Sequence, residues 1–384
     1  MVDPGAIGRS VAAAGVGGLV AAAGAAVGFG TERYAMGRAL GVHDPYSNES
    51  LGGLRGTPYA IEVTDGVQLH AEVDGDLDEP GLSVVFVHGF ALNQDCWHFQ
   101  RRDLRDVGRM VFYDQRSHGR SGRAPRDETS IERLGLDLGE TLDTLVPPGP
   151  VVLVGHSIGG MTVMSLAGQR PELFGERIVG VGLVATSAML DAGEAVGVMG
   201  RLNHAARRYG PAALATAAKQ ADLVESVRRT SSDLGYVLTK RLSFSRTDIS
   251  PSLVEFVSTM FAATPVGVLA DFLPSLGAHD TRAALASLAS VEALVIGAVN
   301  DQITPVQHSR DMVAELPSAD YVEIPDAGHM VMLEHPELVT AHVRSLVARA
   351  TRRTPAAIED PGAAPTPLPR LSRRERRARQ QRRP

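Results

Sequence analysis

Cysteine is nearly absent from this 384-residue sequence: Cys96 stands alone, which excludes an intrachain disulfide framework and any cysteine-based metal cluster. Lysine is almost as scarce, with Lys219 and Lys240 within a combined Lys and Arg count of 38, so arginine carries the positive charge. That charge is unevenly spread. From Arg370 the last 15 residues hold eight Arg and one Glu, a net +7 in a chain of net −6, which leaves −13 on the remainder. Only the tail is basic, and the acidic remainder would repel phosphates, so no nucleic-acid partner is expected. Apolar residues make up 44%, enough for one large core or two modest ones and well outside the disordered range. One folded domain with tails is the simplest division.

Charge is missing altogether from residues 11–30, VAAAGVGGLVAAAGAAVGFG. The length suits a bilayer-crossing helix, although eight Ala and six Gly leave only Val11, Val16, Leu19, Val20, Val27 and Phe29 to favour insertion. Gly24 and Gly28 form a small-xxx-small pair that lets helices approach closely. A secretory signal would want a clearly basic start, whereas Asp3 and Arg9 cancel, and no lipid-attachment cysteine follows. A membrane anchor is the favoured reading, with a peripheral leader and a cleaved signal as alternatives. Gly15 and Gly17 echo a dinucleotide fingerprint but lack the preceding strand and the third glycine. At the other end, Pro- and Ala-rich residues 355–369 and the Arg-rich run after them cannot build a core. The tail is either simply solvated or drawn to anionic lipid. With Arg33 and Arg38 it would favour membrane association with the folded domain on the cytoplasmic side.

Between the tails, short β-branched runs at 59–63, 67–73, 82–87, 110–113, 151–154, 178–184, 293–296 and 321–324 alternate with helical patterns such as 131–145, 161–169 and 336–350. Most later runs are continuously apolar, as strands of a parallel sheet covered on both faces should be. The expected fold class is α/β, one mostly parallel eight-stranded sheet flanked by helices. From about 189 to 277 no strand pattern occurs. That stretch reads as amphipathic helices punctuated at Gly210–Pro211, Ser250–Pro251, Thr264–Pro265 and Pro274, a helical lid inserted after the sixth strand. The division is a leader (1–54), a core (55–188 and 278–350), a lid (189–277) and a tail (351–384).

Gly155-His156-Ser157-Ile158-Gly159 follows the fifth run and opens a helix near Gly159, fitting G-x-S-x-G in the strand–turn–helix context that motif requires. Flanking glycines relieve the crowding of so sharp a turn, and a helix N-terminus favours a developing anion beside Ser157. A serine hydroxyl needs a base, and the base a carboxylate to orient it. His329, in PDAGHM, and Asp301, in GAVNDQITP, each follow a late apolar run and so reach the same sheet edge as Ser157. Other candidates fit less well. His88 and His156 sit inside the turn motifs, His118 reads as a packed loop residue, His335 begins a helix, and Asp326 stands too near His329 to hold its far nitrogen. The strand-end sequence VATSAM offers no rival acid. Gly89-Phe90, in VFVHGFALN, turns away from the sheet after the third run, so the N–H groups of Phe90 and Ile158 are the candidate oxyanion donors.

Five stretches, HGF, YDQRSHGRSGR, GHSIGG, GAVNDQITP and PDAGHM, occur in the order and spacing of one family. Over about residues 57–350 the chain resembles the α/β-hydrolase fold superfamily, in its serine esterase and lipase-like branch. The resemblance implies Ser157 as nucleophile, His329 as general base and later acid, and Asp301 as orienting acid, with Asp114 and Arg116 serving structure. Branches that open epoxides or remove halides carry an aspartate at the nucleophile position, where this chain has Ser157. The G-G-S-W-G elbow of the prolyl aminopeptidase branch is absent, and cofactor-free perhydrolases often place Met where Ile158 stands.

The expected activity is hydrolysis of carboxylic esters of small or apolar acyl groups through an acyl-enzyme, needing no cofactor and no metal. Activity should be lost at acid pH as an imidazole base takes up its proton. The expected partners are a small-molecule or lipid-like ester and the membrane. Phe90, Phe261, Leu269, Phe272 and Met330 are candidate substrate-binding residues, with the lid's own core as the competing role for its aromatics. Perhydrolysis, thioester or amide hydrolysis and acyl transfer use the same triad and stay open, as does a non-catalytic membrane-tethered binding module. Neither the physiological substrate nor the oligomeric state is readable from the residues.

Overall fold

The computed structural model describes residues 43–79, 81–190 and 232–353. The expectations for 11–30, Gly210–Pro211 and the Arg-rich tail fall outside the described residues. Eight strands form one sheet: β1 Thr57–Glu62, β2 Gln68–Asp74, β3 Ser83–Val87, β4 Arg109–Tyr113, β5 Val151–His156, β6 Ile178–Val184, β7 Glu292–Ala298 and β8 Asp320–Ile324. Their order is β1-β2-β4-β3-β5-β6-β7-β8, with β2 antiparallel to both β1 and β4 and every other neighbouring pair parallel. The described α-helices are α1 His98–Asp103, α2 Ile131–Leu145, α3 Ile158–Gln169, α4 Ser232–Ser243, α5 Pro251–Ala263, α6 Val266–Gly277, α7 Leu285–Leu288, α8 Val306–Glu315, α9 Val331–Glu334 and α10 Pro336–Arg353.

Strand periodicity divides the core. Val84, Phe86, Val152, Val154, Leu294 and Ile296 enter a cluster on one face with Val343 and Leu346 of α10. Val85, Val87, Val151, Leu153 and Val295 enter the opposite cluster with Leu138 of α2 and Val163 of α3. Both faces are covered, so the central runs read as unbroken apolar stretches instead of alternating ones, and each fully buried aliphatic side chain contributes about 1.5–3 kcal/mol. The edge strand β8 is only half-buried along most of its length.

Two helix starts follow the proline logic of the sequence, since Pro251 opens α5 and Pro265 immediately precedes α6. Pro274 does not end a helix as expected. It lies inside α6, where Phe272 and Leu276 are buried on either side of it against α2 and α3; tertiary packing of that face outweighs the lost backbone bond. The N-terminus of α2 is capped twice: Arg133 N–H donates to Ser130 Oγ at 3.1 Å, and Ile131 N–H donates to Ser275 Oγ of α6 at 2.8 Å. Residues 44–54, grouped with the leader on sequence grounds, lie against the core. The Tyr46 ring meets Phe99 at 5.1 Å, and Asp44 accepts hydrogen bonds from Ser250 Oγ and from Ser252 N–H and Oγ at the start of α5.

Candidate active site

Because β5, β7 and β8 run parallel, the loops after them emerge at one sheet edge. Ser157 occupies the single residue between β5 and α3, with φ 54 and ψ −122, a conformation costly for a residue with a Cβ. The neighbours make it possible. A Cβ on Gly155 would fall 2.5 Å from the Gly159 carbonyl carbon, and one on Gly160 would fall 2.6 Å from Thr186 Oγ1. Ser157 N–H donates to Val184 O at 3.0 Å, and Thr186 Oγ1 donates to Ser157 O at 2.6 Å, so both backbone polar groups of the strained residue are bound to the end of β6.

The side chains meet in a line. His329 Nε2 lies 3.0 Å from Ser157 Oγ, and His329 Nδ1 lies 2.8 Å from Asp301 Oδ2. All three residues are buried, between 5% and 6% exposed, which keeps the chain of hydrogen bonds largely out of water. Asp301 is fixed by its own loop: its Oδ1 accepts the N–H groups of Ile303 and Thr304 at 2.7 and 3.0 Å. Asn300 N–H donates to Ala327 O at 3.0 Å, tying the Asp301 loop to the loop that carries His329. Such an arrangement draws a proton from a hydroxyl onto an imidazole while a carboxylate faces the far nitrogen.

The amide N–H groups of Phe90 and Ile158 donate to no acceptor among the described residues. The Ile158 N–H lies at the first position of α3, where helix N–H groups are normally unsatisfied. Phe90 sits in a turn fixed by His88, whose Nδ1–H donates to Gly89 O at 2.8 Å while its Nε2 accepts Gln115 N–H at 2.9 Å.

Among the substrate-side candidates, the structure brings some together and separates others. Phe90, Phe272 and Ile158 share one cluster, with the Phe90 and Phe272 rings 5.8 Å apart at 73°. Phe261 and Met330 belong to a different cluster. Phe272 and Met330 have no exposed surface, and Leu269 is half-buried.

The competing candidate histidines each direct one ring nitrogen at a backbone carbonyl. His156 Nε2–H donates to His329 O at 2.8 Å, bracing the loop of the central histidine from behind. His118 Nδ1–H donates to Arg116 O at 2.9 Å, and His335 Nε2 reaches Asp326 O at 3.3 Å. Burial holds the His88 imidazole down at about 4. Burial, with His88 adding to it, holds His118 at about 3, and burial beside His329 keeps His156 well below the usual range. All three are neutral at pH 7. Asp114 accepts the N–H groups of Gln94 and Arg120, each at 2.8 Å, and Arg116 forms ion pairs with Asp137 and Asp65 at 2.6 and 2.8 Å. Both hold loops in place.

Residues 84–342 match the alpha/beta hydrolase family. The chain belongs to that family. Among its relatives are the dihydrolipoyllysine-residue acetyltransferase component of the acetoin cleaving system of Pseudomonas putida, 27% identical over 73% of this chain and 69% of that protein. A mouse sn-1-specific diacylglycerol lipase is 28% identical over 72% of this chain and 83% of the lipase. A thermophilic esterase from Thermogutta terrifontis, solved with malate bound, superposes with a TM-score of 0.60 at 25% identity, covering 76% of this chain and 98% of the esterase. Among the described residues of this alpha/beta hydrolase, no group of His, Cys, Asp and Glu could hold a metal ion, and no single helix is long and apolar enough to cross a membrane.

Sequence reasoning missed three residues that hold the site. Thr304 Oγ1 lies 2.8 Å from Asp301 Oδ2 and 3.3 Å from His329 Nδ1. Thr186 holds the Ser157 carbonyl. Glu334, whose carboxyl is pushed up by burial, accepts N–H groups from Ser245, Arg246 and Gly328. The one signal in the sequence was the D-x-x-T spacing of Asp301 and Thr304, a common turn pattern with no chemistry of its own.

Proposed function

We propose that this protein is a serine hydrolase cleaving carboxylic esters of small or apolar acyl groups. The observation that carries the reading is His329, within hydrogen-bond distance of both Ser157 Oγ and Asp301 Oδ2. Ser157 Oγ attacks the ester carbonyl carbon as its proton passes to His329 Nε2, and the carbonyl oxygen becomes an oxyanion facing the N–H groups of Phe90 and Ile158. Each such donor lowers the barrier by about 3 kcal/mol. Collapse expels the alcohol, which takes the proton from His329, and leaves the acyl group on Ser157. Water, giving a proton to His329, attacks that acyl-enzyme, and His329 passes the proton to Ser157 Oγ as the acid is released. Asp301 holds the imidazole in the tautomer both steps need. The lipase and esterase relatives support the ester as substrate class. The acetyltransferase-component relative favours a second reading, acyl transfer, in which an alcohol or thiol replaces the water.

The test is fluorophosphonate labelling of the wild type and Ser157→Ala, followed by p-nitrophenyl esters from acetyl to palmitoyl with water or alcohol as acceptor. Labelling and hydrolysis in the wild type that vanish in S157A are expected. An unlabelled, inactive wild type would reject the reading in favour of a binding module, and products formed only with the alcohol would favour the transferase.

For location, the uncharged run at 11–30 supports a membrane anchor, and Arg33, Arg38 and the Arg-rich tail support the cytoplasmic side for the enzyme. Deleting residues 1–35 should move the protein from the membrane to the soluble fraction with ester hydrolysis intact. Full-length protein recovered entirely soluble would refute the anchor.

A further inference from the structure

We infer that Thr304 is a positioning residue for the proposed reaction, the clasp that joins the Asp301 loop to the same strand end that holds Ser157. The inference rests on the triad reading above and adds a residue to it.

Three consecutive residues at the end of β6 form a bracket. Val184 O accepts the Ser157 N–H at 3.0 Å, and Thr186 Oγ1 donates to Ser157 O at 2.6 Å. Between them Ala185, forced to a positive φ of 44, donates its N–H to Ile296 O of β7 at 2.9 Å and presents its carbonyl to Thr304 Oγ1, also at 2.9 Å. A non-glycine residue holds that conformation only where its surroundings over-determine it. The bracket therefore grips the nucleophile turn by both of its backbone polar groups and reaches the acid loop through one hydroxyl.

Thr304 is 3% exposed, and its single hydroxyl proton has two acceptors, Ala185 O at 2.9 Å and Asp301 Oδ2 at 2.8 Å. When it points to Asp301, it shares the oxygen that faces His329 and withdraws negative charge from it. When it points to Ala185, that oxygen presents its full charge to the imidazole. Either way the N–H groups of Ile303 and Thr304 keep hold of Asp301 Oδ1, so removing the Thr304 hydroxyl changes the surroundings of Oδ2 without releasing the carboxylate.

Thr304→Val keeps the shape and removes the hydroxyl, and Thr304→Ser restores it. In T304V, kcat on a short p-nitrophenyl ester should fall about 10-fold with KM unchanged, as expected for displaced catalytic geometry. The acid limb of kcat/KM should move to higher pH, because the undiluted carboxylate favours the protonated imidazole. T304S should recover rate and profile, and fluorophosphonate titration should give full labelling amplitude in both variants, which separates a slow site from a misfolded fraction. T304V with wild-type kcat and an unshifted profile would overturn this inference alone, as would a rate loss that serine does not rescue. A wild type that neither labels nor hydrolyses esters would overturn the triad reading and this inference with it.

Discussion

Phe272 has no exposed surface and touches the Phe90 ring, in a cluster that also holds Ile158, the residue after Ser157. Truncating it to alanine should cost about 3–5 kcal/mol, the usual penalty for emptying an aromatic site. Urea unfolding checks this, and a loss below about 1 kcal/mol would mean that the site collapses freely or is not packed as described. Legibility at this scale followed chemistry. Ser157, His329 and Asp301 stood out because strained turns and strand ends leave marks in the sequence: Gly155 and Gly159 around the serine, and Gly328, whose Cβ would lie 2.7 Å from Ser245 N, before the histidine. Thr304 left only its spacing to Asp301, and Thr186 and Glu334 left no mark, because their roles come from partners far along the chain, such as Ser157 for Thr186 and Ser245 for Glu334.

Among the elements, the strand runs were readable almost residue by residue, since burial on both faces of the central strands demands unbroken apolar sequence. Helix α2 was equally clear, with Ser130 as its cap and Leu145 as its end. Helix α3 was legible only in part. The G-x-S-x-G turn places its start near Gly159, one residue from the observed Ile158, but its residues from Ile158 to Ala167 are all buried, so no polar face marks the helix and its own pattern reads only from Met161. Pro274 misled for a related reason, because a proline stops a helix by local rules, whereas α6 is held by contacts with α2 that local rules do not contain. Ser275 and Phe272 make those contacts on either side of it.

Acidity tests the whole molecule. In the unfolded chain His88, His118 and His156 take up protons near pH 6.5, a reference value of about that size for imidazole. In the fold, burial holds His88 to about 4, His118 to about 3 and His156 well below its usual range. Between these limits the unfolded state binds more protons, so stability must fall as pH falls from about 6.5 toward 4, by up to about 1.4 kcal/mol per pH unit for each histidine. Asp114 and Asp137, whose carboxyls burial pushes up, gain protons earlier in the fold than out of it and offset part of the loss at the acid end. Urea midpoints should therefore drop between pH 7.5 and 5, and a flat midpoint would refute the neutral buried histidines. The strand order carries a consequence for how molecules meet. A sheet with two open edges is a template on which another chain can add a strand. Here the outermost strands are β1, with Pro58, which has no N–H to offer, and Glu62, and β8, with Asp320 and Glu323. A missing donor on one rim and charged side chains on both, those of β8 paired with Arg349 and Arg310, discourage strand addition, so the residues that end the sheet guard it against aggregation.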